Sequence, residues 1–262
     1  MILKGLSVMA TKRVLLAAYV DTNTPTDTVS GVTLMEQIEC AAMTYIKNDM
    51  SLDWDMKNRL PVFYRRMWNY MQAAIPLFNK PPTMILRLRG YTAPEFSDVL
   101  YTVNEEPTDG TVTVSTGITD MDICSAGVIA EDEFGDPSYI PLTVNSYDEQ
   151  TGDVVISGPV SLGDEVDIDF YKSGSFNVEL NPTEIDILAF CIYDVWEHRF
   201  DNNALERASK IRDANFTTIS EASQTAAGTA RQSAVDSQLF DKLRMYEMNC
   251  AYLKTVAKTP LF

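Results

Sequence analysis

The chain carries one histidine, His198, near the end of the stretch NPTEIDILAFCIYDVWEHRF at 181–200. A histidine works as a general acid or base when a nucleophile or carboxylate is held beside it. No motif supplies that partner, and an imidazole in the last turn of a helix more simply caps it or complements its dipole. The abundant reactive groups are carboxylates. Glu131, Asp132, Glu133 and Asp136 crowd one turn, and Asp164, Glu165, Asp167 and Asp169 follow one another into a strand. Ca2+ takes several carboxylate oxygens, but neither run matches the twelve-residue loop that spaces its ligands, and acidic turns are ordinarily just solvated. A glycosidase also needs two carboxylates, yet alternation along one strand does not set their separation from a partner. Arg65 and Arg66 lack the wider basic patch of a phosphate site and read as a solvated or interface edge. Tyr91, Tyr101, Tyr139 and Tyr171 fit either a sugar-stacking face or, by ordinary strand preference, cross-strand packing. No GxSxG, Walker loop, GxGxxG after a strand or HExxH is present. Cys40, Cys124, Cys191 and Cys250 are scattered without CxxC spacing, which fits free thiols in a reducing compartment. The expectation is a protein without catalytic, cofactor-binding or metal-ligating residues.

The elements that must position these side chains are helices around a β-rich middle. In the 181–200 stretch Asn181 reads as an N-cap, Pro182 as the first helical residue, and Glu184 sits three after the cap. Ile185, Leu188, Ile192, Val195 and Trp196 then recur at helical spacing, widened by Ile187, Cys191 and Tyr193. Burying such a side chain is worth roughly 1.5–3 kcal/mol, so this helix must dock on what precedes it. The apolar N-terminus is interrupted by Lys12 and Arg13, leaving a run too short for a signal core or a bilayer span; the segment is expected to be structural and the protein soluble. After a loop at 21–31, Leu34, Ile38, Ala41, Ala42 and Tyr45 predict a helix with Glu36, Glu39 and Lys47 on its outer side. Residues 50–58 read as a connection with a turn of helix after Asp53. Pro61 opens a second helix, lined by Val62, Phe63, Met67, Tyr70, Met71 and Ala74 and ended by Pro76 and Pro81-Pro82.

From Met84 the period changes to two. ILRLRGY predicts a strand, followed by β runs at VLYTVNEE, GTVTVSTGI, GVIAEDEF, YIPLTVNSY, DVVISG and EVDIDFYKSG, with a hairpin loop at 148–153. In the last run Val166, Ile168 and Phe170 face one way and Asp167, Asp169 and Tyr171 the other, which predicts a strongly negative solvent face. Residues 90–180 hold nineteen acidic side chains against one basic, Lys172, while the flanks are near neutral and the whole chain is at −16. Such a charge step is the trace of an inserted domain, and it disfavours nucleic-acid binding by the β part. The predicted class is α+β: a helical frame with an inserted antiparallel β-sandwich or barrel domain and a long C-terminal helical arm. The regions are 1–83 (helical), 84–180 (acidic β), 181–203 (a helix completing the frame, stopped by a turn at 201–203) and 204–262 (the arm).

Residues 204–247 are rich in Ala, Ser, Thr and Gln, with apolar positions sparse, among them Leu205, Ile211, Phe216, Ile219, Val235, Leu239 and Phe240. So polar a strip is expected to take shape against other molecules and not in its own core, with the tail YEMNCAYLKTVAKTPLF as a docking terminus. The order helix, helix, acidic β insertion, helix, polar arm resembles the head–tail connector (adaptor, or ring) proteins of tailed double-stranded DNA phages, of the short-tailed or crAss-like groups. The residues that carry the likeness are the helix at 34–46, the RRMWNYM helix with Trp68, the Thr151-Gly152-Asp153 hairpin, the Leu162-Gly163-Asp164 strand lead-in, and the 181–200 helix with Trp196. The resemblance implies a non-enzymatic virion protein at the head–tail junction, synthesised in the host cytoplasm. It implies a homo-oligomeric ring, commonly of twelve copies, bound to the portal protein and to other tail or ring proteins. DNA would pass through without sequence-specific binding, and neither membrane nor cofactor is involved. Contacts with other subunits or the portal are expected from Phe216, Arg231, Phe240, Arg244, Tyr246, Tyr252, Lys254, Lys258 and Phe262. Two rival readings are a decoration or fibre-base module whose β domain recognises a glycan or another virion protein, and an acid-rich hydrolase using Asp132 and Asp136.

Overall fold

The computed structural model describes residues 32–47, 49–107, 110–131, 137–210 and 221–257. The loop predicted at 21–31 and the acidic turn at 132–136, with Asp132, Glu133 and Asp136, lie outside them. The helices are α1 (Met35–Ala42), α2 (Met50–Asn58), α3 (Leu60–Ala74), α4 (Thr83–Leu88), α5 (Pro182–Lys210) and α6 (Glu221–Ala257). The strands are β1 (Thr33–Leu34), β2 (Tyr91–Thr92), β3 (Glu95–Thr102), β4 (Thr111–Ser115), β5 (Ile123–Glu131), β6 (Pro137–Tyr147), β7 (Asp153–Ser157), β8 (Glu165–Lys172) and β9 (Ser175–Phe176). The class is α+β. A curled six-stranded antiparallel sheet runs β3-β8-β5-β6-β7-β4, and a small sheet runs β1-β9-β2. No described helix is long and apolar enough to cross a membrane.

The predicted start of α5 is present in full. Asn181 Oδ1 accepts from the Glu184 amide at 3.0 Å, and Glu184 Oε2 accepts from the Asn181 amide at 2.9 Å, a reciprocal capping box. The helix then buries Leu188, Ile192 and Trp196 against α1 and α3. It does not stop at 201–203 but runs on to Lys210, because Asp201-Asn202-Asn203 contains neither glycine nor proline and costs only tenths of a kcal/mol per residue in a helix. His198 is therefore not a C-terminal cap. The connection at 50–58 is likewise a full helix, α2, held at its start by Asp49, whose Oδ1 accepts from the amides of Ser51 and Leu52 at 3.1 and 3.0 Å.

ILRLRGY is not a strand. Residues Thr83–Leu88 form α4, which buries Met84 and Leu88, one turn apart, and leaves Leu86 exposed. The Leu-Arg-Leu-Arg alternation covers only residues 86–89, too few to fix a period, and the burial of i with i+4 decides for the helix. The later β runs all form strands. β6 changes partner along its length, pairing with β5 through Leu142 and with β7 from Thr143. Its Pro141, which has no N–H to donate, lies opposite Gly127 in the half paired on one side only. The Tyr139 ring lies over Gly127, where an added Cβ would come within 2.2 Å of it. The 148–153 loop closes the β6–β7 hairpin, with Gly152 at φ 76° and its amide donating to Asp148 O at 2.8 Å.

Two hydrophobic cores result. One fills the curl of the sheet with Val103, Val114, Val154, Ile156, Val166, Ile168 and Phe170. The other fills the helical frame and includes Tyr171 and Phe176. β8 belongs to both. The predicted alternation holds, but its second face is not a solvent face: Asp169 and Tyr171 are buried against the frame. Tyr171 stacks on Tyr64 of α3 with ring centroids 4.4 Å apart. Glu39, expected on the outside of α1, is also buried. Burial first, then the Glu36 carboxylate, pushes Glu39 well above the usual carboxylate range.

Candidate functional site

The largest departure from sequence expectation is α6. The arm was predicted to find its shape only against other molecules, but its middle folds back onto its own frame. Val235, Leu239 and Leu243, spaced i, i+4, i+8, make one buried seam. Burying three aliphatic side chains is worth several kcal/mol, at roughly 1.5–3 kcal/mol each, which is enough to hold a helix this polar.

Polar contacts flank the seam along its length. Arg231 Nε meets Glu197 Oε1 at 2.5 Å, and His198 Nε2 lies 3.0 Å from Asp236 Oδ1. Lys242 Nζ donates to Asp186 Oδ2 at 2.7 Å, while the Tyr45 hydroxyl donates to the same carboxylate. The Tyr246 hydroxyl donates to Glu184 Oε1 at 2.5 Å, the oxygen to which Arg87 also donates. Numbers fall along α5 from 198 to 184 as they rise along α6 from 236 to 246, so the two helices run antiparallel. Glu184 thus serves three partners: the α5 N-terminus, α4 through Arg87, and α6 through Tyr246. Burial, then the hydrogen bond to Glu184, pushes the Tyr246 phenol up.

Sequence-predicted contact residues divide between the two sides of α6. Arg231 and Tyr246 turn to their own chain, as above. Phe240 is half exposed under the Lys80 ammonium, which sits 4.3 Å from its ring centroid. Arg244 and Tyr252 are exposed. Phe216, Lys258 and Phe262 lie outside the described residues, as do Ile211 and Ile219, and of Lys254 only the helical backbone is described. Reading the sequence missed Met245 and Met248, which join Tyr252 on the outward side at i, i+3 and i+7. That spacing was the available signal.

A second polar cluster fixes the sheet to the frame. Arg59, between α2 and α3, donates to Asp169 Oδ2 from Nε at 3.1 Å and from Nη2 at 2.7 Å, and to Asp167 Oδ2 from Nη2 at 2.6 Å. Its guanidinium also lies 4.1 Å from the centroid of the Tyr139 ring. Burial and the Asp169 charge raise Asp167 despite the arginine beside it. These carboxylates are therefore occupied by a cation of the same chain and do not form a Ca2+ cage with Asp164, which accepts from the Ser161 amide at 2.7 Å. Arg65 and Arg66 also face carboxylates, those of Asp98 and Asp55, as interface residues.

The four tyrosines make no common sugar face. Tyr171 is buried under Tyr64, Tyr139 lies under Arg59, Tyr101 packs on the sheet core, and Tyr91 sits beside Trp68 and Phe176. His198 and Asp194 project from one side of α5 one turn apart, with His198 Nε2 3.9 Å from Asp194 Oδ1. Burial first, then the facing Asp236 carboxylate, pushes Asp194 up to about 6.

No protein-family model, curated protein or solved structure matches this chain.

Proposed function

We propose that the chain is a non-enzymatic structural subunit of a tailed-phage virion, one copy of a ring adaptor that joins portal to tail around the DNA channel. The observation that carries this reading is the outward side of α6. There Met245, Met248 and Tyr252 are 61%, 58% and 68% exposed on a helix whose inward side is already docked. A helix held by one face needs no large apolar side chains on the other unless a further surface covers them. Methionine and tyrosine suit that use, because one adapts its shape and the other brings contact area with little entropy to lose. The sequence resemblance to head–tail connectors supports the reading, and the acid of the β region would deter threading DNA from sticking.

Correcting the arm's packing changes how this reading must be tested. Truncation after Asn203 would strip Val235, Leu239 and Leu243 from the frame core and damage folding as well as assembly. The cleaner perturbation is Met248→Asp with Tyr252→Asp, which leaves the seam alone. Mixed with the portal protein and imaged by negative-stain microscopy, the unaltered chain should decorate the portal as a ring. The double variant should remain folded by circular dichroism and fail to decorate it. A double variant that assembles like the parent contradicts the reading.

A further inference from the structure

From the geometry we infer that Asp194, His198 and Asp236 form a binding site for a divalent transition-metal ion of the Zn2+ class, which fastens α6 to α5. The three residues come from two helices. Asp194 and His198 stand at i and i+4 on α5, so they share a face, and Asp236 meets them from α6. Their ligand atoms all lie within 4.8 Å of one another, with His198 Nε2 3.0 Å from Asp236 Oδ1 and 3.9 Å from Asp194 Oδ1. Tetrahedral Zn2+ with N and O ligands at about 2.0–2.2 Å holds its ligand atoms about 3.3 Å apart, so small side-chain rotations bring these three into place.

A second observation points to a ligand. Asp194 is only 5% exposed, and its Oδ1, 3.9 Å from His198 Nε2, is buried and receives no hydrogen bond. A buried carboxylate oxygen without a donor is costly, and a cation between it and Asp236 satisfies both. The imidazole selects the kind of ion, since Ca2+ and Mg2+ prefer all-oxygen shells, whereas Zn2+ and its neighbours take imidazole with carboxylate. Asp236 and His198 are partly open to solvent, so water completes the shell. The site lies beside the Arg231–Glu197 pair and apart from the outward apolar side, so the inference does not depend on the assembly reading.

The test uses the full chain, stripped with a chelator and dialysed. Titration with ZnCl2 by calorimetry should give one saturable site that raises the thermal midpoint, and CoCl2 should give the visible absorption of an imidazole-bound Co2+ ion. Both His198→Gln and Asp236→Asn should weaken binding at least tenfold. The Asp236 side chain is exposed, so Asp236→Asn leaves the fold intact even if the histidine variant does not. The inference is overturned if Zn2+ shows no saturable binding up to about 1 mM. It is also overturned if Asp236→Asn binds as tightly as the parent, which would place the ion elsewhere.

Discussion

Glu39 offers the sharpest pH prediction. It lies in the frame core on α1, and burial followed by the neighbouring Glu36 charge raises its pKa well above that of an exposed glutamate. An unfolded chain gives up this proton near pH 4.3. Between that pH and the higher folded value, the native state holds a proton that the unfolded state lacks. Stability then falls as pH rises, by up to about 1.4 kcal/mol per pH unit through this one group. Above the folded value the fall stops. Glu39→Gln keeps the shape and removes the titration, so its stability relative to the parent should improve as pH rises from 5 and level off once the pH passes the folded value. The quantity to measure is the difference between the two proteins, by urea denaturation at pH 5, 6, 7 and 8. Carboxylates remote from Glu39 titrate alike in both and cancel, and Glu36 does so as long as Glu39 stays neutral. Any fixed cost of burying the amide shifts the curve without changing its slope. Two curves that stay parallel across this range would refute the reasoning, because Glu39 would then be ionised in the folded protein.

Arg59→Met should destabilise the chain by about 2–4 kcal/mol, because it leaves Asp169 and Asp167 facing each other at the sheet–frame junction; adding Asp169→Asn should recover much of the loss, as read by chemical denaturation. Asn181→Ala removes one cap and should cost about 1 kcal/mol. Glu184→Ala should cost clearly more by the same assay, since Arg87 and Tyr246 lose their shared acceptor along with the α5 N-terminus.

What was legible in the sequence was what neighbouring residues decide among themselves. Asn181 and Glu184 cap a helix whatever lies beyond it, and Gly152 with Asp148 turns the hairpin from within its own loop. The six strands of the large sheet were readable because turn residues separate them. Thr83–Leu88 was not, since so short an alternation fixes no period and only burial of Met84 and Leu88 decides. The two-sided burial of β8 was hidden as well. Its acidic face looks solvated until Arg59, more than a hundred residues earlier in the chain, is placed against it.

The docking of α6 was illegible for a related reason. Val235, Leu239 and Leu243 are three apolar positions in a 37-residue helix, too few to show a stripe. Of the groups that fix it, Glu184 and His198 read locally as capping residues of α5, and nothing near Asp186 or Glu197 in sequence marks them as partners of α6. The outward Met245 and Met248 were not singled out, because methionine is as common in cores as at interfaces.

The central claim is that α6 is fastened to its own chain and keeps its outer side for neighbours. Amide hydrogen exchange on the dilute, unassembled full chain tests this directly. Residues 232–246 should be protected to a degree comparable with the docked part of α5 before any partner is added. Exchange of that segment at the rate of an undocked helix, with α5 still protected, would contradict the account.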